Sequence, residues 1–132
     1  MVGNLIVSNG DTNLKIQGAK GGGGGSRCVG NVMLGSCVNV MADDCDMPLV
    51  DNILRAATVC NINWAAGGGG CCHSGNVLSG SNIGVVVSEP TAEVTFTNNY
   101  IYSHTVANVR LAKGGSTTVR KIGNNKFGSG LR

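Results

Sequence analysis

The stretch SGNVLSGSNIGVVVSE, residues 74–89, decides the fold. It opens on a small residue and an asparagine, Gly75-Asn76, followed by the apolar pair Val77-Leu78. A turn of small polar residues comes next, and then Ile83, Val85 and Val87 alternate along a second run. Alternation at period two is the pattern of a strand. Two strands this short cannot bury a face alone, so the stretch needs neighbours.

The rest of the chain supplies them. The motif recurs as Gly3-Asn4-Leu5-Ile6, Gly30-Asn31-Val32-Met33, Asp51-Asn52-Ile53-Leu54 and Asn98-Asn99-Tyr100-Ile101, with a last partial copy at Asn124-Asn125-Lys126-Phe127. From Asn4 onward the motif asparagines lie 27, 21, 24, 23 and 26 residues apart. Each period also holds an alternating second run, at Leu14/Ile16, Val38/Val40, Ile62/Trp64, Val85/Val87 and Val109/Leu111. A third run precedes the next asparagine in the later copies, in EVTFTN (Val94, Phe96) and TTVRKIGN (Val119, Ile122).

Three short strands per period make one triangular coil, and stacked coils bury together the inner face that one coil cannot. The expected fold is all-β: a right-handed parallel β-helix of about five short coils. Residues 1–132 form one domain, with 1–30 as an N-terminal arm or first coil, 31–123 as core coils and 124–132 as a C-terminal cap. Asn31, Asn52, Asn76, Asn99 and Asn125 are expected to form a structural ladder at the turns. Asparagine tolerates left-handed backbone, and stacked amides bond one another. A β-sandwich would need hairpin turns and would show no constant period. The Leu-rich positions of a leucine-rich repeat are absent.

Composition agrees with a stack of aliphatic strands. Hydrophobic residues are 42% of the 132, many of them Val and Ile, while aromatics are 4% and charged residues 13%, about half the usual share. A net charge of +3 is too mild to argue for nucleic acid. Six of the ten basic residues, Arg110, Lys113, Arg120, Lys121, Lys126 and Arg132, fall in the last quarter, and no acid follows Glu93. These six are the candidate contacts to an acidic partner. The start, MVGNLIVSNG, lacks the basic region and long apolar core of a signal peptide, and no apolar run reaches the ~20 residues of a membrane span. The expectation is a soluble chain made in the cytoplasm, with Cys28, Cys37, Cys45, Cys60, Cys71 and Cys72 as reduced thiols that pack like small hydrophobes.

No constellation commits the chain to chemistry. Cys71, Cys72 and His73, with Cys60, make the most metal-like group, but zinc ligands come in pairs two to four residues apart. Adjacent cysteines in a strand face opposite ways, so an interior thiol beside an exposed one is the favoured reading. His104 reads as a lone polar turn residue. Glycoside cleavage needs two carboxylates about 5 to 9.5 Å apart across a groove. The acids Asp43, Asp44 and Asp46, or Glu89 and Glu93, read instead as polar bends, and only Trp64, Phe96, Tyr100, Tyr102 and Phe127 are available as aromatic platforms. The glycine runs 21–25 and 67–70 lack the lysine and following helix of a phosphate loop, and read as loops of close backbone approach or as bulges. No cofactor, metal or catalytic residue is expected.

The coils SGNVLSGSNIGVVVSE and TNNYIYSHTVANVRLAKGG resemble the right-handed β-helix proteins of bacteriophage virions, the tailspikes and the capsid cement proteins of tailspike-like fold. The resemblance spans about Asn31 to Phe127 and rests on periodicity. It implies a homotrimer with the helix axes side by side. Tailspikes are usually several hundred residues long, with a head-binding domain and a long glycan groove. A short chain without them fits a non-enzymatic cement or decoration protein on the capsid surface, partnered by the major capsid protein. A tailspike fragment that binds or cleaves host glycan is the competing expectation.

Overall fold

The computed structural model describes residues 1–18, 27–43, 47–64, 69–88, 93–111, 121–123 and 125–128. Their strands come in five triplets and a remainder. These are β1 (Leu5–Val7), β2 (Thr12–Gln17) and β3 (Cys28–Val29); β4 (Val32–Leu34), β5 (Val38–Asp43) and β6 (Leu49–Val50); β7 (Ile53–Arg55), β8 (Cys60–Trp64) and β9 (Gly69–Ser74). Then follow β10 (Val77–Ser79), β11 (Ile83–Val87) and β12 (Glu93–Thr97); β13 (Tyr100–Tyr102), β14 (Ala107–Leu111) and β15 (Lys121–Gly123); and β16 (Lys126–Phe127). No helix occurs among the described residues, so none there is long and apolar enough to cross a membrane.

The triplets wind into a β-solenoid. Strands β1, β4, β7, β10, β13 and β16 form the first sheet, β2, β5, β8, β11 and β14 the second, and β3, β6, β9, β12 and β15 the third. Every pairing between them is parallel. Third-sheet strands exist in every coil, including the first three, where the sequence shows no alternating run. Two of these, β3 and β6, are only two residues long, and β9 carries Gly69, Gly70 and His73 where apolar residues would reveal the pattern. Gly69 and Gly70 therefore belong to a strand, which corrects the reading of the whole 67–70 run as a loop. The register of β9 against β12 skips Gly70, a bulge where a residue without a side chain costs least. Gly67, Gly68 and the run 21–25 lie outside the described residues.

Register turns the sequence periodicity into columns. Ile6, Met33, Leu54, Leu78, Ile101 and Phe127 stack in the first sheet, and Met33, Leu54, Leu78 and Ile101 are completely buried. In the second sheet Leu14, Val40, Ile62, Val85 and Val109 form one column, and Ile16, Ala42, Trp64, Val87 and Leu111 another. Small Ala42 lies beside Trp64, the largest side chain of the core. Each fully buried aliphatic contributes roughly 1.5–3 kcal/mol relative to exposure.

The turns are as regular as the columns. The residue before each motif asparagine (Gly3, Gly30, Asp51, Gly75, Asn98) is left-handed, with φ between +54° and +67°. So is the residue after each of β1, β4, β7, β10 and β13 (Ser8, Gly35, Ala56, Gly80, Ser103), with φ between +51° and +70°. Left-handed backbone was expected on the motif asparagine itself; the structure moves it one residue earlier. The asparagine must keep its N–H and its side-chain amide aimed at the same neighbour, so the residue before it takes the bend. The corners stack as well: a Cβ on Gly75 would overlap the Asp51 carboxylate of the coil above.

Leu54→Ala is expected to lower unfolding free energy by about 3 kcal/mol. Ile53→Ala, one residue away on the outer side and 37% exposed, should cost much less. Urea unfolding of both variants checks the register, and equal losses would contradict it.

Candidate functional site

Each motif asparagine clamps the next. The backbone N–H and the Nδ2 of Asn52 both donate to Oδ1 of Asn76, at 2.9 and 3.0 Å, and those of Asn76 donate to Oδ1 of Asn99, both at 2.9 Å. The same pair of bonds joins Asn4 to Asn31, Asn31 to Asn52, and Asn99 to Asn125. The second Nδ2 hydrogen turns back to a carbonyl one coil away: Asn52 to Cys28, Asn76 to Leu49, Asn99 to His73 and Asn125 to Phe96. Asn31, Asn52, Asn76 and Asn99 are 1% exposed or less. With both amide hydrogens and both oxygen lone pairs engaged, burial of this polar column carries no desolvation penalty from unpaired groups.

A second ladder runs along the corner between the first and second sheets, and the sequence reading missed it. Nδ2 of Asn13 donates to Oδ1 of Asn39, and Nδ2 of Asn39 to Oδ1 of Asn61, each at 2.7 Å. The same amides also reach the carbonyls that end first-sheet strands, at Leu34, Arg55 and Ser79. Asn61 then donates to Ser81 Oγ at 3.1 Å, which lies 2.8 Å from His104 Nδ1. The register partner of Asn61 in β11 is Gly84, where a Cβ would come within 2.5 Å of the Asn108 carbonyl oxygen, 2.8 Å of the Ile101 side chain and 2.9 Å of His104 Nε2. Any side chain there would collide first with the backbone of the next coil, and His104 lies against the same space. His104 is thus a buried end of a polar column, where a lone turn residue was expected. The signal in the sequence was the recurrence TNL, VNV, CNI at the start of the first three second runs.

His73 sits inside the coil. Its ring centroid is 4.5 Å from that of Trp64 and 4.8 Å from that of Phe96, and its Nδ1 accepts the Leu49 N–H at 3.1 Å. The proton therefore resides on Nε2, which, like Trp64 Nε1, has no hydrogen-bond partner among the described residues. Burial holds its pKa down at about 3, and burial also lowers that of His104. Cys72 is exposed at the outer surface, and the Cys71 side chain lies outside the described residues, as does Cys45. Cys28, Cys37, Cys60 and Cys72 are free. Burial raises the pKa of Cys28 and pushes that of Cys60 up to about 11, so the Cys60 thiol stays protonated and is a poor metal ligand. Among the described residues no three His, Cys, Asp or Glu side chains group as a metal site.

The outer surface separates into a neutral face and a basic end. On the first sheet, Leu5, Val32, Ile53, Val77, Tyr100 and Lys126 form one outward column in register. Beside it runs Val7, Leu34, Arg55, Ser79 and Tyr102. Leu5, Val7, Ile53 and Tyr100 are exposed. Tyr100 and Tyr102 stack with ring centroids 4.5 Å apart, and Arg55 donates to the Tyr102 hydroxyl at 2.9 Å. Of the six candidate contacts, Arg110 is exposed on β14 and Lys126 on β16, and Lys121 lies in β15. They occupy three different sheets at one end of the solenoid, so they do not share a side. Lys113, Arg120 and Arg132 lie outside the described residues. Among the carboxylates, Asp43 ends β5, Asp51 is exposed at a corner and Glu93 begins β12; Asp44, Asp46 and Glu89 lie outside the described residues. Of the aromatic candidates, Trp64 and Phe96 are in the core and Phe127 is exposed.

No protein-family model, no curated protein and no solved structure matches this chain.

Acid should destabilise the fold through His73. Unfolded, the imidazole takes a proton near pH 6.5; folded, only near pH 3. Between those values the unfolded chain binds the extra proton, so stability falls as pH drops below about 6.5, by up to about 1.4 kcal/mol per pH unit. Unfolding free energies measured from pH 7 to 5 should show this slope, and His73→Leu should flatten it, leaving the smaller contribution of His104. An unchanged slope in the variant would contradict the burial of His73.

Proposed function

We propose that this chain is a non-enzymatic structural protein that associates through the side of its solenoid, acting as a trimeric cement protein on a bacteriophage capsid. What carries the reading is the outer face of the first sheet. It is a registered array of largely aliphatic side chains, several of them exposed, in which Arg55 and Lys126 are the charged members. Contiguous apolar surface of this kind marks an interaction site. The interior supports the same reading. Its buried asparagines are engaged in ladders that hold coils together, and its buried thiol and imidazole groups have pKa values shifted away from reactivity. The basic residues of the last coil then face the shell, whose acidic groups they would meet.

The stacked Tyr100–Tyr102 pair favours a second reading, a tailspike-type chain that binds host glycan, because exposed aromatic rings serve as sugar platforms.

Electron cryomicroscopy of the source particle separates the two. Copies at junctions across the shell, together with particles that lose heat resistance when the protein is removed and regain it on add-back, are the expected result. A tail-only location, with oligosaccharide binding or release, would establish the second reading. A chain that is monomeric and binds no shell would overturn the first.

A further inference from the structure

We propose that copies of this chain meet through the outer face of the first sheet, each copy's Asp51 pairing with Arg55 of the next. This deepens the associating role proposed above and rests on it; the occupant of the face is a second copy of the chain.

The argument starts from charge. The first-sheet strands β1, β4, β7, β10 and β13, with the motif asparagine and the left-handed residue on either side, carry thirty residues in all. Only Asp51 and Arg55 among them are charged; the short last strand, β16, adds exposed Lys126 at the end of the face, one coil beyond β13. Asp51 and Arg55 both belong to the third coil. Asp51 is the left-handed residue that enters β7, and Arg55 is the residue that ends it, with Ile53 outward between them. Both side chains are exposed. Four residue steps along the chain separate them, about 13 Å, so the pair cannot close within its own strand.

Rotation about an axis parallel to the solenoid brings such a pair together. It keeps every coil at its own height and places the exit corner of one face beside the entry corner of the next. Arg55 of one copy then meets Asp51 of its neighbour, and the same contact repeats around a closed ring. Ile53 and the Leu5/Val32 positions of its column turn toward the axis. The six strands give this face a length of roughly 24 Å at the usual strand spacing. The guanidinium is already held over the face by the Tyr102 hydroxyl, which uses one of its five N–H donors and leaves the rest for a carboxylate. A partner of different charge pattern would leave one of the two ions facing apolar surface, which disfavours it.

Light scattering and native mass spectrometry of the full chain at low salt test this. Wild type is expected at three times the chain mass. Arg55→Glu and Asp51→Lys should each raise the dissociation constant at least about tenfold, and the double swap in one chain should restore association. Asp51→Asn keeps a residue suited to the left-handed turn, so it should melt like wild type while associating more weakly and with less salt dependence. Assembly that survives both Arg55→Glu and Asp51→Asn overturns the face while leaving association standing. Weakening by both that the double swap fails to reverse overturns the pairing. A wild-type chain that is monomeric at every concentration overturns this proposal and the associating role together.

Discussion

The structure depends on one repeated clamp, an asparagine whose backbone N–H and side-chain amide both donate to the side-chain oxygen of the asparagine one coil on. The clamp sets the height of each coil and the position of its first corner. It also requires a left-handed residue immediately before it, which explains why glycine, aspartate or asparagine always stands there. Because a coil has no internal hydrogen-bond partner for its strands, each turn is held only by its neighbours, and the clamp is the point where that dependence is concentrated.

Around the clamp the interior divides its labour. Aliphatic columns supply area, and the two ladders absorb the polar groups that corners force inward. The second ladder shows how strict this is. Where asparagine gives way to glycine at position 84, Ser81 and His104 step in from the preceding corner to continue the chain of bonds. Not every group is absorbed: Ser36 Oγ, His104 Nε2 and Asn108 Oδ1 are buried without a partner among the described residues. His73 accepts the Leu49 N–H at Nδ1, while its Nε2 and the neighbouring Trp64 indole nitrogen have no partners among the described residues. That local cost is what links the core to pH.

Much of this was legible in the residues. The asparagine spacing and the alternating second runs located eleven of the sixteen strands, because those strands are one-sidedly or alternately apolar. The short third-sheet strands β3 and β6 were not legible, since two residues cannot display a period. Nor was β9, whose glycines and buried histidine conceal it. The second ladder was hidden because an asparagine between two valines reads as the outward member of an alternating strand. The basic residues of the last coil cluster in sequence yet spread over three sheets, since each stretch of a coil belongs to a different side. The Asp51 and Arg55 pair gained meaning only when register showed that, Lys126 at the end apart, that face carries no other charge among the described residues. Function is less legible than fold for a physical reason: a solenoid's repeat encodes contacts between its own coils, and a partner is written only in the few outward residues that break it.

The clamp itself is most directly tested by unfolding Asn76→Ala beside Val77→Ala in denaturant. Asn76 is fully buried, and its loss strands the Leu49 carbonyl and the donors of Asn52, so a cost of about 3 kcal/mol or more is predicted. Val77 is outward and half-buried, and should cost under about 1 kcal/mol. Similar costs at the two positions would contradict the account.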